Sequence, residues 1–130
     1  MSKPRAIDEL IGVYNADGGA VGELRYIARK LLGRGHCALC DITHRGFTRR
    51  AEWTDACRRW TTPMSVLHLN ERPDDVRRAS EGHVPCVLAR VGEDLVTLLD
   101  PADLEACGSS VEALEARMRT AAADHGLAFD

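Results

Sequence analysis

His36-Cys37-Ala38-Leu39-Cys40-Asp41-Ile42-Thr43-His44 places two thiols, two imidazoles and a carboxylate within nine positions of a 130-residue chain. A CxxC pair has two chemistries open to it. Its thiolates ligate a metal ion, or the two thiols cycle with a disulfide. If Cys37 opens a helical turn, Cys37, Cys40 and His44 fall at i, i+3 and i+7 and share one face. Donors on one face can converge on one ion. Thiolate together with imidazole suits zinc first, with copper and iron as the other thiophilic choices, and argues against magnesium or calcium. Closing the coordination takes a fourth donor, for which His36, Cys57, His68, His83 and Cys86 are candidates. The second CxxC or HxxxH of a zinc finger is absent from the sequence.

The redox reading uses Cys37 and Cys40 as the catalytic dithiol, or Cys37 with Cys57 or Cys86 across space. Arg45, Arg49 and His36 carry the charge that stabilises a thiolate, and Asp41 opposes it. A third reading is a noncatalytic protein-interaction module, in which the cysteines are small apolar side chains. Whether the protein is an enzyme is therefore open on sequence. The metal reading stands first among the three, and the expected partner is a metal ion or a protein thiol.

Other chemistry-bearing residues read more simply. His68 lies in an apolar run and reads as a hydrogen-bonded core histidine. Cys107 reads as filler near a helix end. Trp53 and Trp60 pack an insert onto a sheet, or else wall a pocket beside the cysteines. Asn15 and Asp17 are turn residues, and Gly18-Gly19 lacks the spacing of a phosphate loop.

Net charge is −3, with 45% hydrophobic and 28% charged residues. That balance suits one soluble domain over 1–130 and gives no global pull toward nucleic acid or an anionic membrane. No apolar run approaches the roughly 20 residues that span a bilayer. Asp8 and Glu9 interrupt any signal-like core behind the N-terminus. The expectation is a cytoplasmic protein, in which five cysteines are free, metal-bound or redox-active rather than structural disulfides. Arg45, Arg49, Arg50, Arg58 and Arg59 face only Glu52 and Asp55 in their segment. They form a solvated face or an anion or partner site.

The elements that position the cluster follow from periodicity. Leu10 to Tyr14 reads as a buried strand. Val21, Leu24, Ile27, Ala28, Leu31 and Leu32 define a helix closed by Gly33. Arg34 to Pro63 is an irregular insert, with Trp53, Cys57 and Trp60 on one face of a short helix. Ser65 to Asn70 is a second strand, and Pro73 opens a short helix through Ala79. Cys86–Val91 and Leu95–Leu99 form a hairpin across Gly92-Glu93-Asp94. Ser109 and Glu112 fit a capping box, with Val111, Leu114, Met118 and Ala121 as the stripe of a final helix.

This order, β-α-(helical insert)-β-α-β-β-α, resembles the thioredoxin-like superfamily: an α/β core of a strand–helix–strand unit, a hairpin and a closing helix. The Val84-Pro85 dipeptide stands before the third strand, where that superfamily carries its cis-proline. Small thioredoxin-like proteins often pair, so the resemblance allows a homodimer. Tyr14-Asn15-Ala16-Asp17 is similar to the Tyr-Asp-Gly-Asp opening of small bacterial thiol oxidoreductases. The cysteines those proteins place next, near Gly18 to Gly22, are missing. The nonapeptide itself resembles a His-Cys-x-Leu-Cys-Asp-Ile-Thr-His segment of uncharacterised small bacterial proteins and brings no activity with it.

Overall fold

Leu10, Ile11 and Val13 sit in a run with almost no polar interruption, and such a run is stable only as a strand covered on both faces. In the computed structural model, which describes residues 3–15, 37–45 and 48–130, that run is strand β2 (Glu9–Val13), after a two-residue strand β1 (Arg5–Ala6). A short helix α1 (Ala38–Thr43) follows, then the two-residue strands β3 (His44–Arg45) and β4 (Thr48–Arg49) and helix α2 (Ala51–Arg59). Strand β5 (Met64–Leu67) leads through a 3-10 turn at Leu69–Glu71 to helix α3 (Asp74–Ser80). The hairpin β6 (Cys86–Val91) and β7 (Asp94–Leu99) precedes helices α4 (Pro101–Glu105) and α5 (Val111–Asp124), and β8 (Leu127–Ala128) ends the order. The architecture is mixed α/β. The helix expected over 21–32 lies outside the described residues.

The main sheet runs β5-β2-β6-β7. β2 and β5 are parallel, with Leu10 opposite Met64 and Val13 opposite Leu67. β6 is antiparallel to both β2 and β7, with Val13 opposite Cys86. Alternation along the strands divides the apolar side chains between two faces. Leu10, Tyr14, Val87 and Ala89 join Leu39, Ile42, Trp53, Leu104, Leu114 and Met118 in the larger cluster. Ile11, Val13, Cys86 and Leu88 face Val76 of α3 in the smaller one. Burying a large apolar side chain contributes about 1.5–3 kcal/mol, so the larger cluster dominates stability.

The insert docks through aromatic edges. Trp53 and Trp60 meet at 76° with centroids 5.9 Å apart, and Trp60 meets Phe129 at 88° and 5.8 Å. The Trp60 indole N–H donates to Glu115 Oε1 of α5 at 2.9 Å, where Arg59 also reaches at 3.3 Å. Partial burial raises the Glu115 pKa. The Trp60 bond and the neighbouring Arg119 and Arg59 outweigh that effect and hold its carboxyl below the ordinary range. Trp53 and Trp60 therefore pack the insert, and Arg59 is spent on α5. Arg50 donates to the carbonyl of Ser109 and pairs with Glu52 at 3.5 Å.

Several boundaries differ from the sequence reading. Ser110, not Ser109, caps α5, its hydroxyl accepting from the Ala113 N–H at 3.1 Å. Ser109 has φ +61°, so it belongs to the reversal before the helix and cannot hold the extended cap conformation. The buried stripe of α5 ends on Ala122 rather than Ala121. Strand β5 stops at Leu67 because the chain turns at His68, whose N–H donates to Glu71 Oε1 at 2.7 Å.

Gly12 decides how close α1 comes to the sheet. A Cβ there would sit 3.1 Å from Leu39 Cδ2 and 3.3 Å from Met64 Cε. Leu39 is fully buried and has little room to give. Gly12→Val is expected to overpack this contact and destabilise the protein by about 1–3 kcal/mol. Urea unfolding of the variant beside wild type measures this. An unchanged midpoint would show that α1 does not rest on β2 through Gly12.

Candidate functional site

The site forms where β2 ends. Tyr14 stays tied to the parallel neighbour, its N–H donating to the carbonyl of Leu67 at 2.9 Å. The next N–H, from Asn15, donates to Cys37 Sγ at 3.4 Å. Cys37 is the N-cap of α1. It has an extended backbone (φ −139°, ψ 103°), and its sulfur also accepts the Cys40 N–H at 3.3 Å. A sulfur here plays the part that a Ser or Asp oxygen plays in ordinary caps. Cys37 and Cys40 form a disulfide pair with Cα atoms 5.2 Å apart, the separation that one helical turn imposes on i and i+3.

Cys37 is 0% exposed, and Cys40 is half-buried against the larger cluster. Ala38, Leu39 and Ile42 anchor α1 into that cluster, so the pair rides on a helix fixed by its apolar face.

The C-terminal end of α1 is held by a polar chain. Thr43 is fully buried, and its hydroxyl lies 2.7 Å from Tyr14 Oη and 2.7 Å from His44 Nδ1. Burial of a hydroxyl is tolerable because both neighbours pair with it. The Tyr14 ring also meets His68 at a centroid distance of 5.0 Å and His44 at 6.0 Å. His68 Nδ1 is in turn 2.6 Å from Glu71 Oε1. The backbone N–H and side chain of His68 both hold the Glu71 carboxyl below its usual pKa. Tyr14 thus joins the strand end to both histidines.

The donors proposed from sequence separate into distinct places. Cys37 and Cys40 come together, and His44 follows at the end of the same helix with Nδ1 against Thr43. His36 lies outside the described residues. Cys86 opens β6 and is buried in the smaller cluster, among Ile11, Val13, Val76 and Leu88. His83 is exposed at the end of α3, its Nε2 3.0 Å from the Ala79 carbonyl. Cys57 sits half-buried on α2, against the larger cluster. Among the described residues, no three His, Cys, Asp or Glu stand together as a metal-holding group.

Tyr14, Thr43 and the Asn15 backbone are the participants that sequence reasoning passed over. A Tyr closing an apolar strand and a Thr-His step closing the Cys segment were the available signals. The Asn15 N–H leaves no mark in a sequence, since every residue but proline has one.

Among the described residues, no helix is long and apolar enough to cross a membrane. Compared with protein-family models, curated proteins and solved structures, the chain matches none.

Cys86 illustrates what burial does to a thiol away from the pair. Desolvation pushes it from 9.0 up to about 11, against a smaller opposing pull from Arg72. The folded state therefore keeps a proton that the unfolded chain loses above about pH 9. This contribution to stability is complete below pH 9 and falls as pH rises toward 11. Urea unfolding at pH 8 and pH 10 is expected to show a smaller alkaline loss in Cys86→Ala than in wild type. Identical losses would mean that this thiol ionises freely in the folded protein.

Proposed function

We propose that the protein performs thiol–disulfide exchange, with Cys37 and Cys40 as its redox couple on a thioredoxin-like core. The observation that carries this is the pairing of the two sulfurs at the end of β2, with Cys37 Sγ accepting two backbone N–H groups. Fixed donors at a sulfur favour its thiolate, the form that takes part in exchange. The scaffold reading draws support from the sheet order and from Pro85. A parallel strand pair with a hairpin added antiparallel to it is the arrangement this superfamily uses. Pro85 stands directly before β6, the place at which the superfamily carries a proline.

The partner is a dithiol, such as a protein bearing two cysteines. In the oxidising direction its two sulfurs lose two electrons and become a disulfide. Cys37 and Cys40 gain those electrons, and the protons left by the partner's thiols pass to the new thiolates or to solvent. In the cytoplasm a disulfide of this kind is transient and catalytic rather than structural.

Zinc binding is the second reading. Opening the pair releases two thiolates one helical turn apart, with His44 capping the same helix. Reduced protein that takes up zinc stoichiometrically, with loss of uptake in Cys37→Ser, would put this reading first.

Dithiothreitol-driven reduction of a small soluble disulfide tests the main reading. Wild type is expected to accelerate the reaction, and the double variant Cys37→Ala/Cys40→Ala to return it to the uncatalysed rate. Equal rates for the two proteins would rule exchange out.

A further inference from the structure

We infer that the two cysteines of the couple are not equivalent: Cys40 is the sulfur that exchanges with partners, and Cys37 is the buried sulfur that leaves. This rests on the exchange reading and specifies its mechanism.

Attack on a disulfide runs along the S–S axis, so the sulfur that is struck must be approachable from the side opposite its partner. Cys37 is 0% exposed. Cys40 is half-buried, and its own backbone N–H points back at Cys37 Sγ. A thiolate arriving from solvent therefore reaches Cys40 and not Cys37.

The hydrogen bonds agree with that order independently. Exchange is faster when the departing sulfur is the better-stabilised thiolate. Cys37 Sγ already accepts from the Asn15 N–H at 3.4 Å and the Cys40 N–H at 3.3 Å. The Asn15 donor comes from the end of β2 and not from α1. The helix is a single short stretch of six residues, so the stabilisation comes from two aimed N–H groups rather than from a long helix dipole.

The chemistry then balances in two steps. An incoming thiolate forms a bond to Cys40 Sγ while the Cys37–Cys40 bond breaks, and the electron pair goes to Cys37 Sγ between its two donors. The second thiolate of the same dithiol partner next attacks the partner's first sulfur. The partner leaves as a disulfide, and Cys40 departs as a thiolate that takes a proton from solvent. With Cys37 held as a thiolate or protonated from solvent, the protein ends reduced by two electrons and the partner ends two electrons poorer.

Glutathione disulfide is a suitable probe for the single variants. Cys37→Ser leaves Cys40 able to form a mixed disulfide, and Cys40→Ser leaves only Cys37 of the pair. Peptide mapping separates adducts at these positions from adducts at Cys57, Cys86 or Cys107. The expected result is an adduct on Cys40 in Cys37→Ser that forms at least about tenfold faster than any adduct on Cys37 in Cys40→Ser, because glutathione is the leaving group in both and access to the attacking sulfur is what differs. Wild type supplies a control that needs no variant to fold. The oxidised protein is mixed with an isotopically labelled monothiol, quenched in acid within the first turnover, and mapped. Label on Cys40 supports the assignment. Label on Cys37, or a faster Cys37 adduct, overturns it while leaving exchange itself in place. A wild-type pair that stays closed in excess dithiol overturns both.

Discussion

The sulfur of Cys37 is where strand and helix are joined. It accepts one N–H from Asn15, two residues past β2, and another from the first turn of α1, and it is bonded to Cys40. Beside that junction, the strand end and the helix meet through apolar contact and through the Tyr14–Thr43 hydroxyl pair. Those contacts are set from below by Gly12, which lets Leu39 settle against the sheet. They are set from the far end of α1 by Thr43, whose hydroxyl ties the helix to Tyr14. The position of the sulfur pair is thus fixed at three points, each made by a different kind of interaction.

The sheet supplies the rigidity on which this rests. β2 is interior, paired with β5 on one side and β6 on the other, and its residues are almost wholly buried. A reactive group hung on the end of such a strand inherits its precision. The insert between α1 and β5 covers the same face of the sheet through Trp53 and Trp60. Its basic residues Arg50 and Arg59 engage the Ser109 carbonyl and Glu115. The charge asymmetry visible along the chain is therefore used partly within the molecule.

Apolar runs made the four main strands readable, because a covered strand needs little more than Val, Ile and Leu in succession. The final helix was readable from its 3.6-residue stripe, but its cap was displaced by one residue. Two serines in a row offer the same chemistry, and only the left-handed φ of Ser109 separates them. Helix α4 was missed although Asp100-Pro101-Ala102-Asp103 carries a capping box and a proline at the first turn. The β1–β8 pair joins the chain's two ends over two residues and leaves no local signature. At the site, the CxxC was plain, whereas the placement of Cys86 was not. Cys86-Val87-Leu88 alternates, but alternation does not say which face of a sheet meets which helix. That face put Cys86 in an apolar cluster away from the pair.

An equilibrium titration of the wild-type protein against mixtures of reduced and oxidised glutathione tests the central claim most directly, with the state of each cysteine read by alkylation and peptide mass. One reversible two-electron transition confined to Cys37 and Cys40 is expected, following the same curve from the reduced and the oxidised side, with Cys86 and Cys107 reduced throughout. A pair that fails to interconvert, or that opens only when the protein unfolds, would contradict it and leave the disulfide a structural link.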